Sequence, residues 1–368
     1  MVQRPSRVEA ADALTQRFAS GRRASYDRAH VLTASDLPAW GIRLFAFVFG
    51  ALWGSFFNVA IYRWPRDMSV VSPPSHCPAC KTPVPAWRNV PIFGYLFLRG
   101  RAGCCGAPLS PRYLLVELSG AALCLALAER YIGGAAPGAT LADTALTTLL
   151  FFAFAGGLLV ATFVDLEWME IPDEVSIGGT ALGLATVAFR DPSPSVTDLA
   201  VGAGAGYLLV QILAVWGWER LTGRRGMGEG DSKLLMFVGA FLGWKGAIFA
   251  LVGGALQGLI VTAIVLLAGR RTGPSSEAEA PLVEDDPTWT PPAPLELSDG
   301  TKAELKDGGH ALEVRDRHAR LLWAHAIDPE EGGLMRRAIP FGPFIALGAL
   351  EFLFFGEPLL EAYLGLYR

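Results

Sequence analysis

The sequence predicts an all-α polytopic membrane protein of about eight transmembrane helices, with a small Cys-containing loop domain. Three observations predict it. The 368 residues are 52% hydrophobic and only 18% charged, with a mean hydropathy of +0.36, whereas a soluble domain carries about 25% charge. The charges are also clustered, since residues 270–337 hold 23 of the 66 charged side chains, nine Lys/Arg and fourteen Asp/Glu. Outside that segment, Leu44–Tyr62, Leu199–Trp218 and Gly246–Gly269 carry no charge, and only Asp143 interrupts 132–164. About 20 apolar residues cross a bilayer as a helix. The 42 Gly and 25 Pro follow no Gly-X-Y period, which excludes collagen. Five Cys are too few for a disulfide scaffold, and a net charge of −4 predicts no nucleic-acid partner.

Residues 1–39 form a polar tail with six Arg and no short apolar core, unlike a signal peptide. The expected spans follow at 40–62, 113–131, 141–164, 174–190, 197–218, 232–245, 246–268 and 338–356. Gly50 with Gly54, and Gly179 with Gly183, are GxxxG pairs, and Gly202, Gly204 and Gly206 thin another helix; close backbone packing accounts for them. The loop 63–112 is rich in Cys and the core 113–268 holds most of the spans. A charged insertion at 269–337 precedes the last span and C-terminus at 338–368. Gly273 to Pro294 reads as linker, and Leu295 to Leu334 as a small strand-rich lobe, with Leu312-Glu313-Val314-Arg315 as the strand signal. Basic residues concentrate in 63–112, 219–233 and 269–337, which puts these loops in the cytoplasm. Eight spans then place both termini outside, against the Arg-rich tail; either the tail is translocated or the span count is off by one.

Carboxylates near span ends are the candidate chemistry. Asp165 ends the third span and Asp231 opens the sixth, at the same expected face. Ionisable groups at membrane depth are costly and are functional candidates by default. Two carboxylates in one site share a proton, so one holds water as base while the other protonates a carbonyl. Gly228 and Gly230, just before Asp231, would let the backbone approach a substrate strand. The plainer alternative makes Asp231 a helix N-cap and Asp165 a solvated interfacial residue beside Glu167, Glu170, Asp173 and Glu174. Asp173, after Pro172, reads as structural. There is no His-Glu-x-x-His and no Gly-x-Ser-x-Gly, and His30, His76, His310, His318 and His325 all fall outside the expected spans.

Cys77-Pro78-Ala79-Cys80 and, later, Cys104-Cys105 suggest a tetrathiolate zinc site. A reducing cytoplasmic loop favours metal over disulfide. Adjacent ligands are geometrically harder, so Cys77 and Cys80 with one or both of Cys104 and Cys105 remain open. Free thiols are the alternative. Cys124 reads as a small buried apolar residue.

Five motifs together resemble the type IV prepilin peptidase family. They are Gly54 to Arg63, His76-Cys77-Pro78-Ala79-Cys80, Asp165 with Ile171-Pro172-Asp173, Gly226 to Leu234, and Ile339-Pro340-Phe341-Gly342-Pro343-Phe344. The resemblance covers roughly 41–268 and 338–356. It implies a bacterial inner-membrane aspartic protease of the Gly-x-Gly-Asp class, similar in logic to presenilin. Such enzymes cut the leader from prepilins and pseudopilins at the cytoplasmic face, after a Gly. Many then methylate the new N-terminus with S-adenosylmethionine. The resemblance makes Asp165 and Asp231 the catalytic pair, puts Gly228 and Gly230 in the active-site turn, and matches Cys77, Cys80 and Cys105 to the family thiols. The remaining family Cys falls on Ala102 here, with Cys104 displaced. No independent S-adenosylmethionine motif stands in the sequence. Two other classes compete: a proton-coupled transporter using Asp165 and Asp231, and a zinc-stabilised scaffold without chemistry. Midplane carboxylates would suit the transporter better than carboxylates at helix ends.

Overall fold

The computed structural model describes residues 32–77, 79–85, 89–190, 194–222, 227–269, 295–296, 302–306, 311–315, 321–326 and 340–365. The tail up to residue 31, Gly226 and the expected linker Gly273 to Pro294 lie outside the described residues. Two compact units divide the chain, one of 1–256 with 340–368, the other of 257–339.

The helices of the first unit follow the apolar windows closely. They are α1 (Ala39–Arg63), α2 (Phe93–Phe97), α3 (Arg112–Ala128), α4 (Leu141–Trp168), α5 (Asp173–Ala185), α6 (Val196–Val210) and α7 (Trp218–Thr222). Then come α8 (Glu229–Gly269), whose last residues belong to the second unit, and α9 (Gly342–Gly365). Local chemistry sets their ends. The Thr140 hydroxyl caps α4 by accepting the Asp143 N–H at 3.1 Å. Met169, left-handed at φ 56°, stops the same helix. Pro172 and Ser195 stand at the N-caps of α5 and α6.

Seven helical runs among the described residues carry the expected windows, the last of them helical only from Gly342. The windows 232–245 and 246–268 share α8, which is broken only at Gly243, where φ 70° and ψ −176° leave the helical region. Only glycine takes that conformation without strain, and it ends one apolar run and begins the next. Four stretches are long and apolar enough to cross a membrane: Ala39–Arg66, Leu141–Trp168, Val196–Leu221 and Glu229–Val265. Gly342–Gly356 is a shorter apolar helix. Phe45, Leu52, Val201 and Val252 remain more than half exposed on these helices, a surface suited to lipid.

Packing is by close approach. A Cβ on Gly54 would lie 2.7 Å from the Glu117 Cα, so α1 and α3 touch backbone to backbone. Phe154 of α4 meets Phe237 and Phe241 of α8, with ring centroids 5.0 and 4.7 Å apart. Arg190, beyond α5, is 3% exposed and donates to the carbonyls of Phe241 and Gly183. It locks the end of α5 onto α8.

The second unit carries a four-stranded antiparallel sheet, order β1-β2-β3-β4 (Leu295–Glu296, Lys302–Lys306, Ala311–Arg315, Leu321–Ala326). The strand signal at Leu312–Arg315 lies in β3. The chain is thus mostly helical, and the strictly all-α expectation is corrected by this sheet, whose short alternating segments sit inside the charged insertion.

Candidate active site

Asp165 lies within the last turn of α4. The expected span ended at 164, but the helix runs on to Trp168, and the Asp165 carbonyl accepts the Met169 N–H at 2.9 Å. The reading of Asp165 as a solvated interfacial residue is corrected: it is 6% exposed, and its Oδ2 accepts the Gly342 N–H at 2.9 Å. Gly342 opens α9, so a helix N-terminus faces this carboxylate.

Asp231 is the third residue of α8 and 8% exposed. Its Oδ2 accepts the Gly228 N–H at 3.2 Å. The N-cap reading of Asp231 is corrected as well. Gly228 precedes the helix, and Asp231 reaches back to it as the third residue of a capping box does. Asp165 and Asp231 feel one another's charge. Ile171 packs between their supports, 3.2 Å from a Cβ built on Gly230 and 3.3 Å from one built on Gly342. Three chain segments far apart in sequence thus bring two carboxylates into one buried neighbourhood.

The neighbours are satisfied locally. Ser232 Oγ donates to Gln211 Oε1 at 3.0 Å. Lys233 Nζ meets Asp173 Oδ1 at 2.6 Å, with the Asp173 side chain 56% exposed. Asp173 therefore stands outside the buried pair, in keeping with its structural reading. Glu167 pairs with Arg112 of α3.

The residue that sequence reasoning missed is Gly342. Its motif was visible, yet nothing local shows that a backbone N–H there holds a carboxylate on α4. The signal available was the Pro340-Phe341-Gly342-Pro343 run before an apolar helix, where a helix N-terminus exposes N–H groups.

In the loop 63–112 the sulfur atoms of Cys77, Cys80, Cys104 and Cys105 all lie within 4.8 Å of one another. Cys80 and Cys104 are 3.2 Å apart, Cys77 and Cys105 3.8 Å. Zinc bonded at about 2.3 Å spaces its four sulfurs roughly 3.8 Å apart. The four thiols fit that ion. Two similar turns deliver them, one closed by the His76–Pro83 bridge and one by Arg101–Pro108. The Cys77 N–H donates to Thr82 and the Ala102 N–H to Ala107. Lys81 (φ 59°) and Gly106 (φ 72°) turn both chains in the same way. By this match Ala102 occupies the place of Cys77, and Cys104 supplies the sulfur from two residues later. Without metal, the Thr82 hydroxyl and then its N–H hold the Cys80 thiol down to about 6. The Cys80 and Cys77 thiols push Cys104 up to about 12.

Fold and site together define a helical protein of membrane character with a buried aspartate pair on two separate helices. Comparison with known proteins narrows the class. Residues 48–131 match the bacterial peptidase A24 N-terminal domain, and residues 152–263 the type IV leader peptidase family. A Myxococcus xanthus prepilin leader peptidase/N-methyltransferase is 33% identical over 340 residues, covering 88% of this chain and 94% of the relative. Relatives of the same name from Aeromonas hydrophila and Klebsiella pneumoniae are 37% and 38% identical. They cover 61% and 56% of this chain, and 81% and 86% of their own. No solved structure matches. The chain belongs to the type IV leader peptidase family.

Proposed function

We propose that this protein is a membrane aspartic endopeptidase that removes the leader of type IV prepilins and pseudopilins, then N-methylates the new N-terminus. The observation that carries the proposal is the aspartate pair. Asp165 and Asp231 are both buried, each held by one backbone N–H, and electrostatically coupled. Such a pair shares one proton. The ionised carboxylate takes a proton from water as its oxygen attacks the scissile carbonyl. The protonated carboxylate gives its proton to the carbonyl oxygen. Collapse then expels the amine, which takes the proton gained from water, while a hydroxyl of the diol returns its proton to the other carboxylate and restores the shared-proton pair. The names of the relatives support both the leader substrate and the methylation. They lend no support to the transporter alternative.

The remaining assignments rest on the same reading. The enzyme sits in the bacterial inner membrane with about eight spans, and its active site faces the cytoplasm along with 63–112, 219–233 and 269–337. Gly228 and Gly230 form the active-site turn. Cys77, Cys80, Cys104 and Cys105 hold a structural zinc that braces the loop 63–112. S-adenosylmethionine, when bound, supplies the methyl group.

Asp165→Asn and Asp231→Asn test the central point. A prepilin peptide is incubated with each variant and with wild type, with and without S-adenosylmethionine, and read by mass spectrometry. Each variant is expected to lose cleavage while keeping the wild-type thermal midpoint. Normal processing by either variant refutes the assignment.

A further inference from the structure

The loop 63–112 contains an uncharged run of ten residues, 89–98, bounded in sequence by Arg88 and Arg99. A run of this length is too short to span a bilayer and suits a re-entrant or interfacial segment. Ile92, just before α2, is buried and packs with Ala51 of α1 and Ala121 of α3. The exposed ion pair Arg43–Glu129 marks the far border of these two helices. Ala51 stands eight residues from Arg43, and Ala121 eight from Glu129. At 1.5 Å per residue, each lies about 12 Å inside that border. A hydrocarbon core about 30 Å thick then puts Ile92 near its middle. Around this buried anchor the side chains face outward. Phe93 and Leu96 are more than half exposed and Phe97 is 81% exposed, with the Phe93 and Phe97 rings stacked 6.1 Å apart. Pro91 shares a groove with Leu52 and Phe56, outward residues of α1. The segment thus continues the lipid-facing surface of α1.

We propose that 89–98 is a re-entrant segment whose partner is the phospholipid bilayer. It dips from the loop side, is deepest at Ile92, and lays Phe93, Leu96 and Phe97 against acyl chains. It returns at Arg99 and Arg101, both exposed, which meet the headgroup phosphates. The proposal rests on the membrane character of the helices and is independent of the peptidase reading. Irregular backbone at membrane depth has to satisfy its polar groups within the protein. The hydrogen bonds along the segment follow that rule. Pro91 has no N–H to satisfy. The Phe93 N–H donates to the Pro91 carbonyl at 2.6 Å, Gly94 to Val90 at 2.8 Å, Leu96 to Ile92 at 3.0 Å and Leu98 to Gly94 at 3.2 Å. The Ile92 N–H donates to Glu117 Oε2 at 2.7 Å, so a buried side chain of α3 supplies the acceptor. Ile92 stands at φ 65° and ψ −58°, a costly conformation for a β-branched residue, inside the γ-turn that the Phe93-to-Pro91 bond closes. Such strain persists only where the surroundings impose it. Here Glu117 and the seat between Ala51 and Ala121 impose it, which makes Glu117 a positioning residue for the segment. The depth of Ile92 favours lipid over a docking protein, since a water-soluble partner does not reach the middle of the bilayer.

The test is photolabelling of the full chain in phosphatidylethanolamine–phosphatidylglycerol nanodiscs doped with a phospholipid that carries a diazirine on its acyl chain. Peptide mass spectrometry maps the adducts. Label on 89–98 is expected to match that on 44–56 of α1, and to exceed that on 102–110 of the Cys loop about tenfold or more. Strong label on 44–56 with only the 102–110 level on 89–98 overturns the proposal. A photoreactive phenylalanine in place of Phe97 reads its neighbour directly. Adducts to phospholipid are expected; adducts to water, or to a second copy of this chain, overturn the proposal. Glu117→Ala is expected to lower the acyl-chain label on 89–98 about threefold or more, while Glu117→Gln, which keeps an acceptor oxygen, retains it. The thermal midpoint of each variant checks folding. Equal label in wild type and both variants overturns the role given to Glu117.

Discussion

Replacing Gly342 by Ala should uncouple catalysis from stability. A Cβ there would sit 2.7 Å from Asp165 Oδ2, 3.2 Å from its Cγ and 3.3 Å from Ile171 Cδ1. Ordinary contact begins at 3.4 Å, so the carboxylate oxygen must retreat about 0.7 Å. It is the free end of a side chain and can rotate away. Rotation stretches or breaks the 2.9 Å hydrogen bond from the Gly342 N–H. A hydrogen bond to a charged group contributes about 1.5–3 kcal/mol, which bounds the stability loss. Catalysis is more sensitive, because a misplacement on the order of 1 Å costs roughly 100-fold. Initial rates on a prepilin peptide should therefore fall about 10–100-fold, or about 1.4–2.7 kcal/mol in the barrier. The thermal midpoint in detergent should fall only modestly. A wild-type rate in a folded Gly342→Ala protein would refute the view that this N–H positions Asp165.

Other consequences are simpler. In metal-free protein Cys80, held down to about 6, should be the thiol alkylated fastest at pH 7, and Cys104, pushed up to about 12, among the slowest. Only the thiolate reacts, so Cys80 labelling should drop as pH falls through 6, and zinc should protect all four thiols; uniform labelling in peptide mapping contradicts the arrangement. Asp173→Asn should cost at most about 1 kcal/mol, since the ion pair with Lys233 is half exposed, and should leave leader cleavage intact in the peptide assay. Arg190→Leu should lower stability by about 2–4 kcal/mol, because it strands the buried carbonyls of Phe241 and Gly183; an unchanged unfolding midpoint would count against that lock.

Much of this molecule is legible in one dimension. Lipid tolerates no unpaired backbone, so each crossing segment is a self-contained apolar run, and the charge-free windows locate the helices without any knowledge of their neighbours. Helix starts follow local chemistry too, as at Thr140 with Asp143 and at Ser195 with Asp198. The same logic made Asp165 and Asp231 conspicuous, because a charge stands out against an apolar background.

What the residues alone could not decide is who holds whom. Asp165 and Asp231 are 66 positions apart, and Gly342 stands 177 from Asp165. Only helix packing brings them around Ile171. The choice between an N-cap and a reach-back at Asp231 depended on where the helix began, a matter of one turn. Cys104 joined the other thiols because a second turn repeats the geometry of the first and delivers its sulfur from a shifted position. The seat of Ile92 has no linear signature, since Ala51, Glu117 and Ala121 come from two other helices. Local sequence determines elements because helix formation and membrane partition are short-range. Sites depend on packing, because a carboxylate's neighbours are set by contacts that the order of residues does not encode directly.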